Sequence, residues 1–357
     1  MSHAFRKVPI LDWKLIETGH KADFISQLRD ALVTCGFLYL QHPPVDPELT
    51  RRVKEYAPKL FELPSEKKLA LRMSNSPHFL GYSSLGSELT KGTVDQREQF
   101  DFGTQVECKW KPGDLDYLKL WGPPQWPAED DIPGFRSTFS AYLSQVEALS
   151  EELTELISEA LGLGPHALDV FFDNPKRAMQ HRSKIVKYPL RDGKDQGVGP
   201  HYDSGFLTLL LQASDHRGLQ AQDPLGEWID VPPIDDTLVI NVGKGLEMVT
   251  QHVAVATSHR VISPVAGVQS SPRYSIPFFQ TIRQDIKLPD FVLRVPSDVL
   301  ALRDARGSIG KSESVNYSEY DREPTGKVAL IGRVKSHPDV AERHYPNLFK
   351  LYFPDAA

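Results

Sequence analysis

Cysteine is almost missing from this sequence: Cys35 and Cys108 are the only two in 357 residues. Two are too few for a disulfide framework or for a structural metal held by thiolates. The apolar setting of Cys35 makes a buried, inert thiol the plain reading. No apolar run approaches the ~20 residues that a membrane-crossing helix needs. The start, MSHAFRKVPILDW, has no apolar stretch followed by a small-residue cleavage site. The expectation is a cytoplasmic protein with no membrane partner. Dense Lys/Arg blocks are also absent and the net charge is −6, so there is no electrostatic footprint for nucleic acid. Repeats and low-complexity segments are lacking as well. These absences leave small-molecule chemistry, on a monomer or weak homo-oligomer, as the expected class.

What is present is an ordinary globular composition, 40% apolar and 25% charged. A strand-like VPILDW leads into a helix on which Phe24, Leu28 and Leu32 recur at helical spacing until Gly36 stops it. FLYLQH reads as a strand. The stretch from Glu48 to Leu71 reads as a helix broken near Pro64 and restarted by a Ser65 cap. Gly, Pro and aromatics crowd Ser74 to Pro133, which predicts a long irregular region laid over the body. From Phe135 to Leu161 an apolar stripe marks one long helix, ended by Gly162, Gly164 and Pro165. After Arg182 short strands follow one another at turn spacing, which suits an antiparallel sandwich or barrel. The fold class is α+β or mainly β, with helices packed around a β core. The expected segments are a supported N-terminal region (1–134), a long helix and connection (135–181), the core (182–285) and a helical cover (286–357).

Inside that core, GPHYDSGFLTLLLQ places His201 and Asp203 one residue apart at the start of a leucine-rich run. Alternate side chains of a strand share a face, so both can grip one object. Two polar groups turned toward a core are costly unless something satisfies them. A metal ion does so, and iron or zinc usually needs a third protein ligand. His259 in TSHRVISP supplies it, whereas His252 in VTQHVAVAT reads as a surface or helix-end histidine. Arg273 in PRYSIPFF faces the same way as Ser275. A buried guanidinium needs an anion, and its fork matches a carboxylate.

HYD, SHRV and RYSIPFF in that order resemble the non-haem iron(II), 2-oxoglutarate-dependent dioxygenases of the isopenicillin N synthase-like branch. VPILDW, CGFLYLQH, LPSEKKLAL, GYSSLG and REQFDFG resemble that family's N-terminal region. The resemblance implies a double-stranded β-helix, a jelly-roll of the cupin-like kind, flanked by N-terminal helices and a C-terminal helix. It assigns Fe(II) to His201, Asp203 and His259, and the distal carboxylate of 2-oxoglutarate to Arg273, Ser275 and Tyr188. Many relatives carry Asn where this chain has Val186. Either fewer polar contacts hold the co-substrate here, or Lys187 or Lys184 compensates.

The implied reaction consumes O2 and 2-oxoglutarate, releases succinate and CO2, and oxidises an unactivated C–H bond of a small organic molecule in specialised metabolism. Hydroxylation is its usual outcome, with desaturation or ring formation as variants. Phe279, Pro277 and Leu210 are the candidate substrate wall, with the HFLGYSSLG loop and the C-terminal helix around Tyr345 and Phe349 as lids. Arg182, Lys184, Lys187 and Arg97 are available to an acidic substrate, although a solvated or structural role is the plainer reading of each. The rivals are an oxidase that uses no 2-oxoglutarate and a non-catalytic protein that binds a 2-oxo acid or a metal. A zinc hydrolase is disfavoured because no H-E-x-x-H helix is present.

Overall fold

A computed structural model describes residues 5–90, 92–173, 178–193, 196–307 and 322–354. Its centre is a pair of facing β-sheets. The strands are β1 (Ile10–Asp12), β2 (Phe37–Gln41), β3 (Gly81–Ser83), β4 (Leu89–Thr90), β5 (Thr93–Val94), β6 (Glu98–Gly103) and β7 (Arg182–Tyr188), followed by β8 (Gln196–His201), β9 (Leu207–Gln212), β10 (Leu219–Gln222), β11 (Trp228–Asp230), β12 (Thr237–Val242), β13 (His259–Ile262) and β14 (Arg273–Phe279). The larger sheet runs β1-β2-β12-β9-β14-β7-β6-β3 and the smaller β11-β10-β13-β8. Every pairing in these two sheets is antiparallel except β1 with β2. This is the jelly-roll architecture.

The larger sheet is buried on both faces, and the period of two in its strands shows how. On β9, Leu209 and Leu211 join the helix-side core while Leu210 faces into the barrel. Ile185 and Val186 on β7 divide in the same way, as do Ile240 and Val239 on β12. The barrel interior closes around Val186, Tyr188, Val198, Leu210 and Val261. On the outer face lie α1 (Lys14–Glu17), α2 (Lys21–Thr34), α3 (Pro47–Glu62), α4 (Ser65–Ala70) and α5 (Phe135–Ala160). Phe139, Leu143, Val146, Leu149 and Leu153 of α5 are all buried against it. The remaining helices are α6 (Lys244–Val249), α7 (Ser297–Arg306), α8 (Thr325–Ser336), α9 (Pro338–His344) and α10 (Pro346–Tyr352).

Three local expectations differ from the structure. Ser65 is the first residue of α4 and does not cap it, because Pro64 occupies the capping position with no side-chain bond. The side-chain cap belongs to α3 instead, where Asp46 accepts from the Glu48 backbone N–H at 2.8 Å. The segment from Ser74 to Pro133 is only partly irregular, since β3 and β6 extend the larger sheet beyond β7. Phe100 and Phe102 of β6 point into the helix-side core while Gln99 and Asp101 are buried among polar groups. This alternation is that of a strand, but the Gly, Pro and aromatic residues around it read as loop. Tyr345 and Phe349 line no opening either: Tyr345 stacks on Phe79 at 5.5 Å and donates to the Pro77 carbonyl at 2.6 Å, and Phe349 joins the same small core. Both aromatics are packing, as the apolar spacing of this terminal segment requires.

Candidate active site

Antiparallel pairing of β8 with β13 sets His201 opposite His259, and their rings lie 4.2 Å apart between centroids. Asp203 follows two residues beyond the end of β8. Its Oδ1 lies 3.9 Å from Nε2 of His201 and its Oδ2 lies 3.8 Å from Nε2 of His259. One ligand atom from each of the three residues falls within 4.8 Å of the others. His201 Nδ1 donates to the Gly199 carbonyl at 2.8 Å, and His259 Nδ1 faces the Thr257 carbonyl at 3.2 Å. Each Nε2 lone pair is therefore free to turn to the shared centre.

The carboxylate is held in place from its other side. Thr208 Oγ1 donates to Asp203 Oδ2 at 2.6 Å, and the Asn241 amide donates to the same oxygen at 2.8 Å. Burial pushes the Asp203 carboxyl up, but the two histidines and these hydrogen bonds outweigh it and hold it below its usual range. Burial, with His259 alongside, pushes His201 down to about 3. A neutral His201 imidazole and an ionised Asp203 are the forms in which these groups bind a divalent metal. His252 lies away from this centre, exposed just past the end of α6 in a left-handed conformation with φ 63°.

On the larger sheet Arg273 stands opposite Tyr188, with its guanidinium 5.2 Å from the ring centre, and Ser275 stands opposite Val186. Arg273 is 1% exposed, and its Nε and Nη1 have no partner. Its Nη2 donates to Gln212 Oε1 at 3.1 Å. A buried guanidinium with two unspent donors fits a bidentate carboxylate. Neither lysine stands in for the missing Asn: Lys184 contacts Glu88 and Asp101, and Lys187 contacts Glu98. The polar neighbour that sequence reading overlooked is Gln212.

A cavity of about 370 Å³ opens beside His201 and Asp203. Phe279 and Thr208 line it near the triad, while Pro277 and Leu210 are absent from its wall. Leu210 belongs to the barrel core, and Pro277 sits directly opposite it. Helix α8 closes another side through Val328, Ala329, Gly332 and Arg333. Thr208, Asn241 and Gln212 were missed as site residues, yet a signal existed. In LTLLLQ the polar Thr208 and Gln212 share the face of Leu210, and Asn241 interrupts the apolar run TLVINV.

Two imidazoles and one carboxylate leave half of an octahedral ferrous sphere open, which is the ligand set of a mononuclear non-haem iron oxygenase. Comparison with known proteins agrees. Residues 178–282 match the 2OG-Fe(II) oxygenase superfamily, and residues 8–129 match the N-terminal domain described as non-haem dioxygenase in morphine synthesis. The 2-oxoglutarate-dependent dioxygenase frbJ of Dothideomycetidae sp. (strain 11243) is 43% identical, over 97% of this chain and 94% of that protein. A homoarginine-6-hydroxylase of Oryza sativa subsp. japonica is 28% identical, over 90% of this chain and 97% of that protein. A full-length Neurospora crassa structure solved with alpha-KG and 5-formyluracil has a TM-score of 0.68 at 28% identity, covering 90% of this chain and 96% of that one. The chain belongs to the 2OG-Fe(II) oxygenase superfamily and is a 2-oxoglutarate-dependent dioxygenase, with Fe(II), 2-oxoglutarate and O2 as its cofactors and co-substrates. Among the described residues no helix is long and apolar enough to cross a membrane.

Proposed function

We propose that this dioxygenase hydroxylates an unactivated C–H bond of a small polar molecule in specialised metabolism. His201, Asp203 and His259 hold Fe(II), while Arg273, Ser275 and Tyr188 receive the distal carboxylate of 2-oxoglutarate. The observation that carries this reading is the pairing of a His-Asp-His centre with a buried, under-bonded arginine in one barrel. When bound, iron and 2-oxoglutarate supply the oxidising chemistry, with release of succinate and CO2.

The chain's own contribution is placement. Thr208 and Asn241 fix the Asp203 carboxylate so that its orientation is set before a metal arrives. The Gly199 and Thr257 carbonyls fix the tautomers of the two imidazoles. Arg273 offers Nε and Nη1 while Gln212 anchors its remaining arm. Phe279 and the α8 residues wall the cavity, hold the substrate within reach and restrict water. Hydroxylation requires no dedicated acid or base.

That the rice relative is a hydroxylase supports hydroxylation over desaturation or ring formation, and the fungal relatives support specialised metabolism. The test is succinate formation by the iron-loaded protein under air, with and without a panel of small polar compounds. Substrate-stimulated succinate with a product 16 mass units heavier, an added oxygen atom, is the expected result. A product two hydrogens lighter, or turnover that persists without 2-oxoglutarate, overturns the reading.

A further inference from the structure

The wall of the cavity away from Arg273 is charged. Glu88, Arg97, Arg182, Lys184 and Arg333 all line it, and Glu88 is its one carboxylate besides Asp203 among the described residues. Asp95 and Asp101 are buried outside the lining, each 1% exposed. Arg97 Nη2 bridges Glu88 and Asp95 at 2.9 Å each. Lys184 Nζ lies between Glu88 and Asp101 at 3.3 Å from each. Arg333 makes only one ion-pair contact, 3.6 Å from its Nη1 to Asp101 Oδ1, and none of its nitrogens donates a hydrogen bond within the described residues. Arg97 Nε is buried and has no partner.

The charges can be counted. Arg97, Lys184 and Arg333 balance Glu88, Asp95 and Asp101. Arg182, held on the carbonyls of His78, Phe79 and Leu120, and Lys335 of α8, which also lines the cavity, are left over. This end of the cavity therefore carries surplus positive charge and unused donors, which an anion with several acceptor lone pairs satisfies. Its Lys184 end is set apart from the 2-oxoglutarate socket, whereas Arg97 borders Tyr188. Lys184 and Tyr188 lie four residues apart on β7, about 13 Å at roughly 3.3 Å per residue, and Tyr188 is the residue opposite Arg273.

We infer that the prime substrate carries a carboxylate, and that Arg333, delivered to the cavity by α8, receives it with Lys184 and Arg97 behind. Arg333 is the specificity-determining residue. It is partly exposed, at 21% of its side chain, and donates no hydrogen bond among the described residues, whereas Arg97, Lys184 and Arg182 are already committed to buried partners. A carboxylate replaces water on a planar fork whose geometry matches it. Glu88 keeps Arg97 and Lys184 extended toward the cavity in the absence of substrate.

This inference rests on the dioxygenase reading, and its test separates the two. Isothermal titration is run under nitrogen on the protein loaded with Fe(II) and 2-oxoglutarate. One arm uses the twenty protein L-amino acids, L-ornithine and L-homoarginine, each beside its carboxamide. The other uses acids without an amino group: hexanoate, benzoate and phenylacetate. The expected result is at least one acid that binds ten-fold or more tighter than its carboxamide. Arg333→Gln then abolishes that preference, Arg333→Lys restores part of it, and 2-oxoglutarate affinity stays within two-fold. Binding confined to the first arm identifies an amino acid, and binding in the second identifies a simple carboxylic acid. Absence of any acid ligand, equal binding of carboxamides, or an unaltered preference in Arg333→Gln overturns the inference. Failure of the dioxygenase reading looks different: 2-oxoglutarate does not bind the iron-loaded protein, and Arg273→Gln changes nothing.

Discussion

The Asn241 side-chain amide donates to Asp203 Oδ2 at 2.8 Å, across 38 positions of sequence and from β12 of the larger sheet. Asp203 is thereby oriented by a residue that is no metal ligand. Asn241→Ala is expected to weaken Fe(II) affinity by roughly 10- to 100-fold while leaving the unfolding midpoint of the metal-free protein little changed. Equilibrium dialysis against Fe(II) under nitrogen reads the effect. Affinity equal to wild type would mean that Thr208 alone suffices.

Arg273 has two buried donors without a partner, the pair proposed to receive the 2-oxoglutarate carboxylate. Arg273→Gln is expected to raise the 2-oxoglutarate concentration for half-maximal succinate release by about 10- to 100-fold, since hydrogen bonds to charged groups contribute roughly 1.5–3 kcal/mol. Ser275→Ala removes one neutral donor and costs about 1 kcal/mol, or some five-fold. An equal loss in the two variants contradicts the proposed division of labour.

Acid sensitivity follows from two buried histidines outside the cluster of His201, Asp203 and His259. His181 and His337 are each 1% exposed, and burial pushes both down to about 4 from an ordinary 6.5. His181 Nδ1 accepts the Thr281 backbone N–H at 3.1 Å, which a protonated ring could not do there. The unfolded chain takes up these protons near pH 6.5 and the folded chain resists until about pH 4. Stability of the metal-free protein is therefore expected to fall as pH drops through that window, by up to about 1.4 kcal/mol per pH unit for each histidine. Urea unfolding of His181→Gln between pH 7 and pH 4.5 should show the slope reduced by about one proton. An unchanged slope refutes the assignment.

Cys35 is buried at 1% exposure and its thiol is pushed up to about 12, whereas Cys108 is half-buried. A chromogenic disulfide reagent is expected to titrate one thiol in the native protein and both after unfolding in guanidinium. Cys108→Ser should abolish the native signal. Rapid reaction at Cys35 in the folded protein would show that the β2 side of the barrel opens.

The strands after Arg182, the long helix from Phe135 and the triad candidates were readable because each is a local pattern. H-x-D on one strand face, an apolar stripe of helical period, and Arg with Ser two residues on are short-range statements. β6 was passed over although Gln99-Phe100-Asp101-Phe102 alternates as a strand does, because it is short and set in a stretch whose Gly, Pro and aromatic residues read as loop. The expected lid failed for a related reason. Aromatic spacing around Tyr345 reports burial, and burial against Phe79 looks the same in sequence as burial over a substrate.

Sequence alone offered the run of short strands, the candidates His201, Asp203 and His259, and an arginine with a serine two residues on, since those are local patterns of residue type, period and order; the jelly-roll and the roles proposed for these residues came with the family resemblance. Tertiary structure decided that His201 sits opposite His259, that Thr208 and Asn241 meet on one oxygen, and that α8 brings Arg333 to the wall shared with Arg97 and Lys184. Such convergences depend on strand register and helix docking. Both are set by packing among residues far apart in sequence, and no local pattern carries them.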